Sequence, residues 1–106
     1  MRDVGYEVLC EQIDGLQKIC TAANNAKADL FVSIHCNSAA NVSAKGAETF
    51  HYAGSEKGYN LATAIQAQMI KSISGLVNRG VKTANYAVLR GTNMPGVLVE
   101  TAFISN

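Results

Sequence analysis

The chain has 106 residues, enough for one domain at most. Apolar residues make up 48% and charged residues 16%, which excludes an intrinsically disordered chain. The net charge is +1 with no Lys/Arg cluster, so there is no electrostatic footprint of a nucleic-acid or anionic-membrane partner. No apolar run is long enough to insert across a bilayer, and Met1-Arg2-Asp3-Val4-Gly5 lacks the basic and apolar regions of a signal peptide. Cys10, Cys20 and Cys36 are odd in number and irregularly spaced, which reads as free buried thiols rather than a disulfide framework.

In chain order, Gly5 to Cys10 is rich in β-formers and reads as a short strand. Asp14 stands as an N-cap before a helix over roughly 15–27, where Leu16, Ile19, Cys20, Ala23 and Ala26 share helical spacing. Ala28 to Cys36 is almost wholly apolar, the pattern of a strand covered on both faces in a parallel sheet. Asn37 to Lys45 is a small, polar loop, and Gly46 to Tyr52 is a second strand.

Ser55 is placed to cap the longest helix, over about 56–74. Leu61, Ile65, Met69 and Ile73 recur there every fourth position, and Gly75 stops it. Tyr59 and this stripe read as core. Val77 to Ala84 has no clear pattern, and Tyr86 to Arg90 reads as extended. Gly91 to Gly96 is a loop holding the single proline, and Val97 to Thr101 is the last strand. Strands alternating with helices predict an α/β layered domain, whose sites gather at the carboxyl ends of strands.

Two apolar runs end in chemically capable residues, His35 and Glu100. A buried strand avoids such groups, because a desolvated charge costs free energy unless it is partnered. Side chains alternate along a strand, so Phe31, Ser33, His35 and Asn37 share one face, while Leu98, Glu100 and Ala102 share one face of the other run. For His35, a structural hydrogen-bonded role and a ligand role both stay open. For Glu100, a pairing with Arg79 or Arg90 and a catalytic role stay equally open. His51, between Phe50 and Tyr52, reads as a packing or surface residue, and Glu48 as a structural carboxylate paired with Lys45 or an arginine. A catalytic zinc needs three protein ligands and an open position, and the chain has 2 histidines with no H-x-x-x-H pair.

Ala28-Asp29-Leu30-Phe31-Val32-Ser33-Ile34-His35-Cys36-Asn37 and Pro95-Gly96-Val97-Leu98-Val99-Glu100-Thr101-Ala102-Phe103-Ile104-Ser105-Asn106 resemble motifs of the zinc-dependent N-acetylmuramoyl-L-alanine amidases. Lys45 to Phe50, Asn78 to Lys82 and Val88 to Arg90 add to the likeness, in order and over nearly the whole chain. The resemblance implies a twisted, mostly parallel sheet flanked by helices, incomplete relative to the family domain. It implies hydrolysis of the peptidoglycan amide between N-acetylmuramic acid and L-alanine. By the same resemblance His35 is a Zn2+ ligand, Glu100 the catalytic glutamate and Asn37 a polar residue beside the metal that contacts substrate. The implied partner is peptidoglycan, and the implied location is the cell wall, periplasm or exterior, as an autolysin, a sporulation enzyme or a phage endolysin.

The family also carries a Gly-His-Gly-Gly-type loop after its first strand and a further glutamate ligand, and this sequence contains neither. Residues 1–106 therefore read as the C-terminal part of one amidase catalytic domain, lacking two zinc ligands and inactive or nearly so by itself. Two other readings compete: a non-catalytic wall-binding or regulatory module with the same fold, and a different α/β zinc hydrolase such as a carboxypeptidase.

Overall fold

The computed structural model of the chain describes Val8 and residues 15–38 and 46–103. These residues form α1 (Leu16–Asn25), β1 (Phe31–Ser38), β2 (Gly46–His51), α2 (Glu56–Ser72), β3 (Asn78–Thr83), α3 (Ala87–Arg90) and β4 (Gly96–Phe103). The strands make one sheet in the order β1-β4-β2-β3. β1 runs parallel to β4 and β2 parallel to β3, while β2 and β4 are antiparallel. This is the mostly parallel α/β sheet that the alternating pattern predicts. The strand expected over Gly5 to Cys10 lies outside the described residues, as do Asp14 and residues 39–45 of the expected loop.

α2 covers one face of the sheet. Its Ala62 is fully buried against Val97 and Val99, and Leu61, Ile65, Met69 and Val81 pack around them. Complete burial of a side chain such as Val97 contributes about 1.5–3 kcal/mol. The Ser55 hydroxyl accepts from the Gly58 N–H at 2.9 Å, the expected cap. Glu56 in the first turn and Lys71 in the last complement the helix dipole. The stripe is narrower than its spacing predicts: Tyr59 and Ile73 are exposed, not core. Tyr59 instead lays its ring edge-on against His51, with centroids 5.5 Å apart. Ile73 falls beyond the last helical turn, in extended backbone.

The opposite face carries the second core, built from Phe50, Leu98, Val88 and Leu89, with Ile19 of α1, Phe31 and Ala84 against it. Cys20 of α1 is buried here as a free thiol, 3.5 Å from the Ala87 carbonyl. Asn24 clamps α1 to the loop before β4, donating to the Gly91 carbonyl at 2.9 Å and accepting from the Asn93 N–H at 2.8 Å. The N-cap position of α1 is Gly15, with φ 99 and no side-chain cap.

Three expectations are corrected here. Tyr86 to Arg90 is not extended: Ala87–Arg90 form a helical turn, because Leu89 and Arg90 return their N–H groups to the Tyr86 carbonyl. That turn points the consecutive Val88 and Leu89 into one core, which an alternating strand does not do. The unpatterned 77–84 segment holds a strand, β3, stabilised by pairing with β2 rather than by its own composition. Among the described residues β1 is not covered on both faces: Leu30, Val32 and Ile34 are exposed, because β1 ends the sheet order there and α2 packs over β2, β3 and β4.

Gly46 opens β2 at φ 117, where the strand passes so close to the Val77 carbonyl that a Cβ has no room. One polar network lies under α2. Gln66 donates to the Ala47 carbonyl at 2.8 Å and to Asn78 Oδ1 at 2.9 Å, and accepts from the buried Thr49 hydroxyl at 2.8 Å. Gln66→Ala takes this partner from the buried Ala47 carbonyl and Thr49 hydroxyl. Chemical denaturation is expected to show a loss of about 2–4 kcal/mol, and Ser55→Ala a loss of about 1 kcal/mol.

Candidate active site

The register of the central strand aligns the site. His35 of β1 lies directly opposite Glu100 of β4, and Glu100 lies directly opposite Glu48 of β2. Register partners in neighbouring strands project from the same face. Adjacent strands are about 4.8 Å apart, so the three residues form a row across the sheet. The apolar cluster under α1 and α3 includes Phe50 and Leu98, and the next residues outward on that face are Glu48 and Glu100. One face is thus divided along its strands: an apolar half beneath helices and a polar half beyond them.

β1 and β4 are parallel, so His35 and Glu100 both sit in the carboxyl-terminal halves of their strands, as expected for an α/β sheet. His35 is exposed, and Glu100 is half-buried and partnered. The Ser33 hydroxyl stands 3.2 Å from His35 Nε2. When Nε2–H donates to it, Nδ1 keeps its lone pair free for an electrophile. Asn37 is in register with Ala102, but its side chain lies outside the described residues.

Glu48 is the residue that sequence reasoning undervalued. Its Oε2 is shared by two cations of β3, Lys82 Nζ and Arg79 Nε, the latter at 3.7 Å. The Glu48 side chain is 16% exposed, while Arg79 and Lys82 are 37% and 45% exposed. Lys82 is in register with Phe50, on the face that carries the row. The signal for this cluster was the period-two spacing of Glu48 and Phe50, but β3 had to be recognised first, and Gly80 obscures it. Arg90 is bound elsewhere, donating to Asn85 Oδ1 at 2.9 Å. His51 is buried, its Nδ1 3.0 Å from the Tyr52 carbonyl, in the packing role expected.

The donor set can be compared with what zinc requires. Among the described residues no group of three His, Cys, Asp or Glu is gathered to hold a metal ion. Nor is any buried side-chain nitrogen or oxygen among them left without a hydrogen-bond partner. Glu48 is turned toward its cations, which leaves His35 and Glu100. These donors do not by themselves complete a catalytic zinc site.

The N-acetylmuramoyl-L-alanine amidase family model matches residues 2–106. The chain belongs to this amidase family. It is 43% identical over 95 residues to the N-acetylmuramoyl-L-alanine amidase LytC of Bacillus subtilis strain 168, covering 86% of this chain and 18% of that protein. It is 44% identical over 107 residues to the endolysin of Bacillus phage SPP1, covering 94% of this chain and 36% of the endolysin. Among solved structures, the amidase from Clostridium difficile 630 superposes with a TM-score of 0.73 at 33% identity, over 80% of this chain and 46% of that one. AmiC2 of Nostoc punctiforme superposes with a TM-score of 0.72 at 34% identity, over 84% and 48% of the two chains. The chain thus spans less than half the length of each of these proteins.

The Ser33–His35 contact makes a spectroscopic prediction for this amidase chain. In Ser33→Ala, 15N chemical shifts of the imidazole are expected to show a smaller Nε2–H tautomer population, with the backbone spectrum of β1 otherwise retained.

Proposed function

We propose that the chain forms the C-terminal part of an amidase catalytic domain that hydrolyses the bond between N-acetylmuramic acid and L-alanine in peptidoglycan. The observation that carries this is the register that puts His35 and Glu100 side by side on the polar half of one sheet face. The match to the amidase family supports the reaction class, and the coverage of less than half of each relative supports the partial domain.

In this reading Glu100 is the proton carrier. It takes a proton from the attacking water as the water oxygen bonds to the carbonyl carbon. It then delivers that proton to the departing L-alanine nitrogen as the C–N bond breaks. Such general acid–base work contributes roughly 10²–10⁴-fold in rate. His35 supplies one imidazole to a zinc ion whose other ligands come from outside the described residues. Ser33 orients that imidazole through its second nitrogen, as partners of metal-bound histidines do. Asn37 contacts the substrate beside the metal. The chain by itself, with so few donors gathered among the described residues, binds zinc poorly and is inactive or nearly so. The substrate places its action in the cell wall, as in the probable cell wall amidase LytH of Staphylococcus saprophyticus, 37% identical over 82 residues.

A wall-binding module with the amidase fold is the second reading, consistent with the few metal donors gathered among the described residues. The two separate on one substitution. In the full-length protein, Glu100→Gln is expected to lower release of L-alanine-terminated peptide from muropeptides by roughly 10²–10⁴-fold, with wall binding retained. A variant as active as the parent removes Glu100 from the mechanism. A parent that binds walls and cleaves nothing establishes the module instead.

A further inference from the structure

Arg79 and Lys82 both reach one carboxylate oxygen of Glu48 and stay partly open to solvent. They are two cations for that one carboxylate, with the Glu100 carboxylate next in the row. Glu48 is largely covered, and the cations, at 37% and 45% exposure, are the part open to solvent. Their position is set by the sheet. Glu48 is in register with Glu100, about one strand spacing away, and the two cations of β3 reach Glu48 across β2.

The proposed substrate has a feature that fits this distance. The bond assigned to Glu100 joins a lactyl carbonyl to the nitrogen of L-alanine. Beyond L-alanine the peptide continues, and an acidic residue in second place puts a carboxylate about two residues from the scissile bond. Two extended residues span about 7 Å. A substrate with its scissile amide at Glu100 and its peptide running across β2 toward β3 therefore brings that carboxylate to Lys82 and Arg79. We propose that Arg79 and Lys82, held in place by Glu48, form an anion subsite for the carboxylate of the second residue of the stem peptide. Glu48 has a defined part: it orients both cations. Arginine and lysine divide the task, a planar fork on one side and a mobile point charge on the other. The proposal rests on the amidase reading for the direction and identity of the peptide.

The test separates binding from cleavage. The full-length protein is titrated with two L-alanyl-D-glutamate dipeptides whose glutamate γ-carboxyl is blocked as the methylamide, one with a free α-carboxylate and the other with an α-carboxamide, followed by NMR. The carboxylate form is expected to bind about tenfold tighter, as a charge-assisted hydrogen bond exceeds a neutral one. Lys82→Gln and Arg79→Gln should each reduce that preference, and Lys82→Arg should keep it. The single substitutions leave Glu48 one cation, and a retained thermal midpoint confirms the fold. With muropeptide substrates the same variants should raise KM for the carboxylate form, leaving kcat and the carboxamide form unchanged. No preference in the parent, or a preference that survives both glutamine variants, overturns the subsite. A parent that cleaves muropeptides without the preference sinks the subsite alone, and one that shows the preference without cleaving sinks the amidase reading alone.

Discussion

The pairing of β4 with both of its neighbours is the constraint on which everything else depends. β4 is hydrogen-bonded to β1 in parallel and to β2 in antiparallel register. Because side chains alternate with period two, a slip of one residue in either pairing would send His35 or Glu48 to the opposite face from Glu100. The register is held on the far side by Val97 and Val99, buried beneath α2, and on the near side by Leu98, buried with Phe50 beneath α3. A central strand buried on both faces has no freedom to slide, so its single carboxylate is fixed in position by apolar packing two residues away.

The same alternation explains the division of the site-bearing face. Where α1 and α3 pack, the face is apolar and closed, and Asn24 ties α1 to the loop that feeds β4. Beyond Leu98 and Phe50 the residues become Glu100, Glu48 and His35, while Ser33 and Lys82 flank Leu98 and Phe50 in register and reach toward that row with Arg79. Polar groups gather where water or a ligand can reach them, and each has a neighbour that steadies it: Ser33 for His35, and two cations for Glu48. Opposite charges distributed along one row create a surface with direction, a property suited to an extended, charged peptide more than to a compact ligand.

The exposed side chains of Leu30, Val32 and Ile34 belong to the same logic. The run from Ala28 to Cys36 has the composition of a strand buried on both faces. Within the described residues only one of those faces is packed, since β1 stands at the end of the strand order. Composition thus records what a strand is suited to, and the sheet order decides which of its faces is met.

Much of the architecture was legible in the residues. The four-residue apolar period of α2, its Ser55 cap, and the apolar runs of β1 and β4 are local signals, and local signals survive in any context. The alternation within each run also told which residues accompany His35 and which accompany Glu100. What no local pattern contains is the relation between runs far apart in the chain. That His35 meets Glu100, that Glu48 lies on Glu100's other side, and that Lys82 reaches Glu48 are consequences of strand order and register. The short α3 and the strand β3 followed the same rule. Tyr86 to Arg90 has the composition of a strand and coils into a turn to put Val88 and Leu89 into one core, and Asn78 to Thr83 has little strand character and extends because β2 offers it hydrogen bonds. The sequence by itself determined α1, β1, β2, α2 and β4 and the faces they present. Only the tertiary structure decided which faces share a surface, because that choice is made by long-range pairing and burial, which are not encoded at any one position.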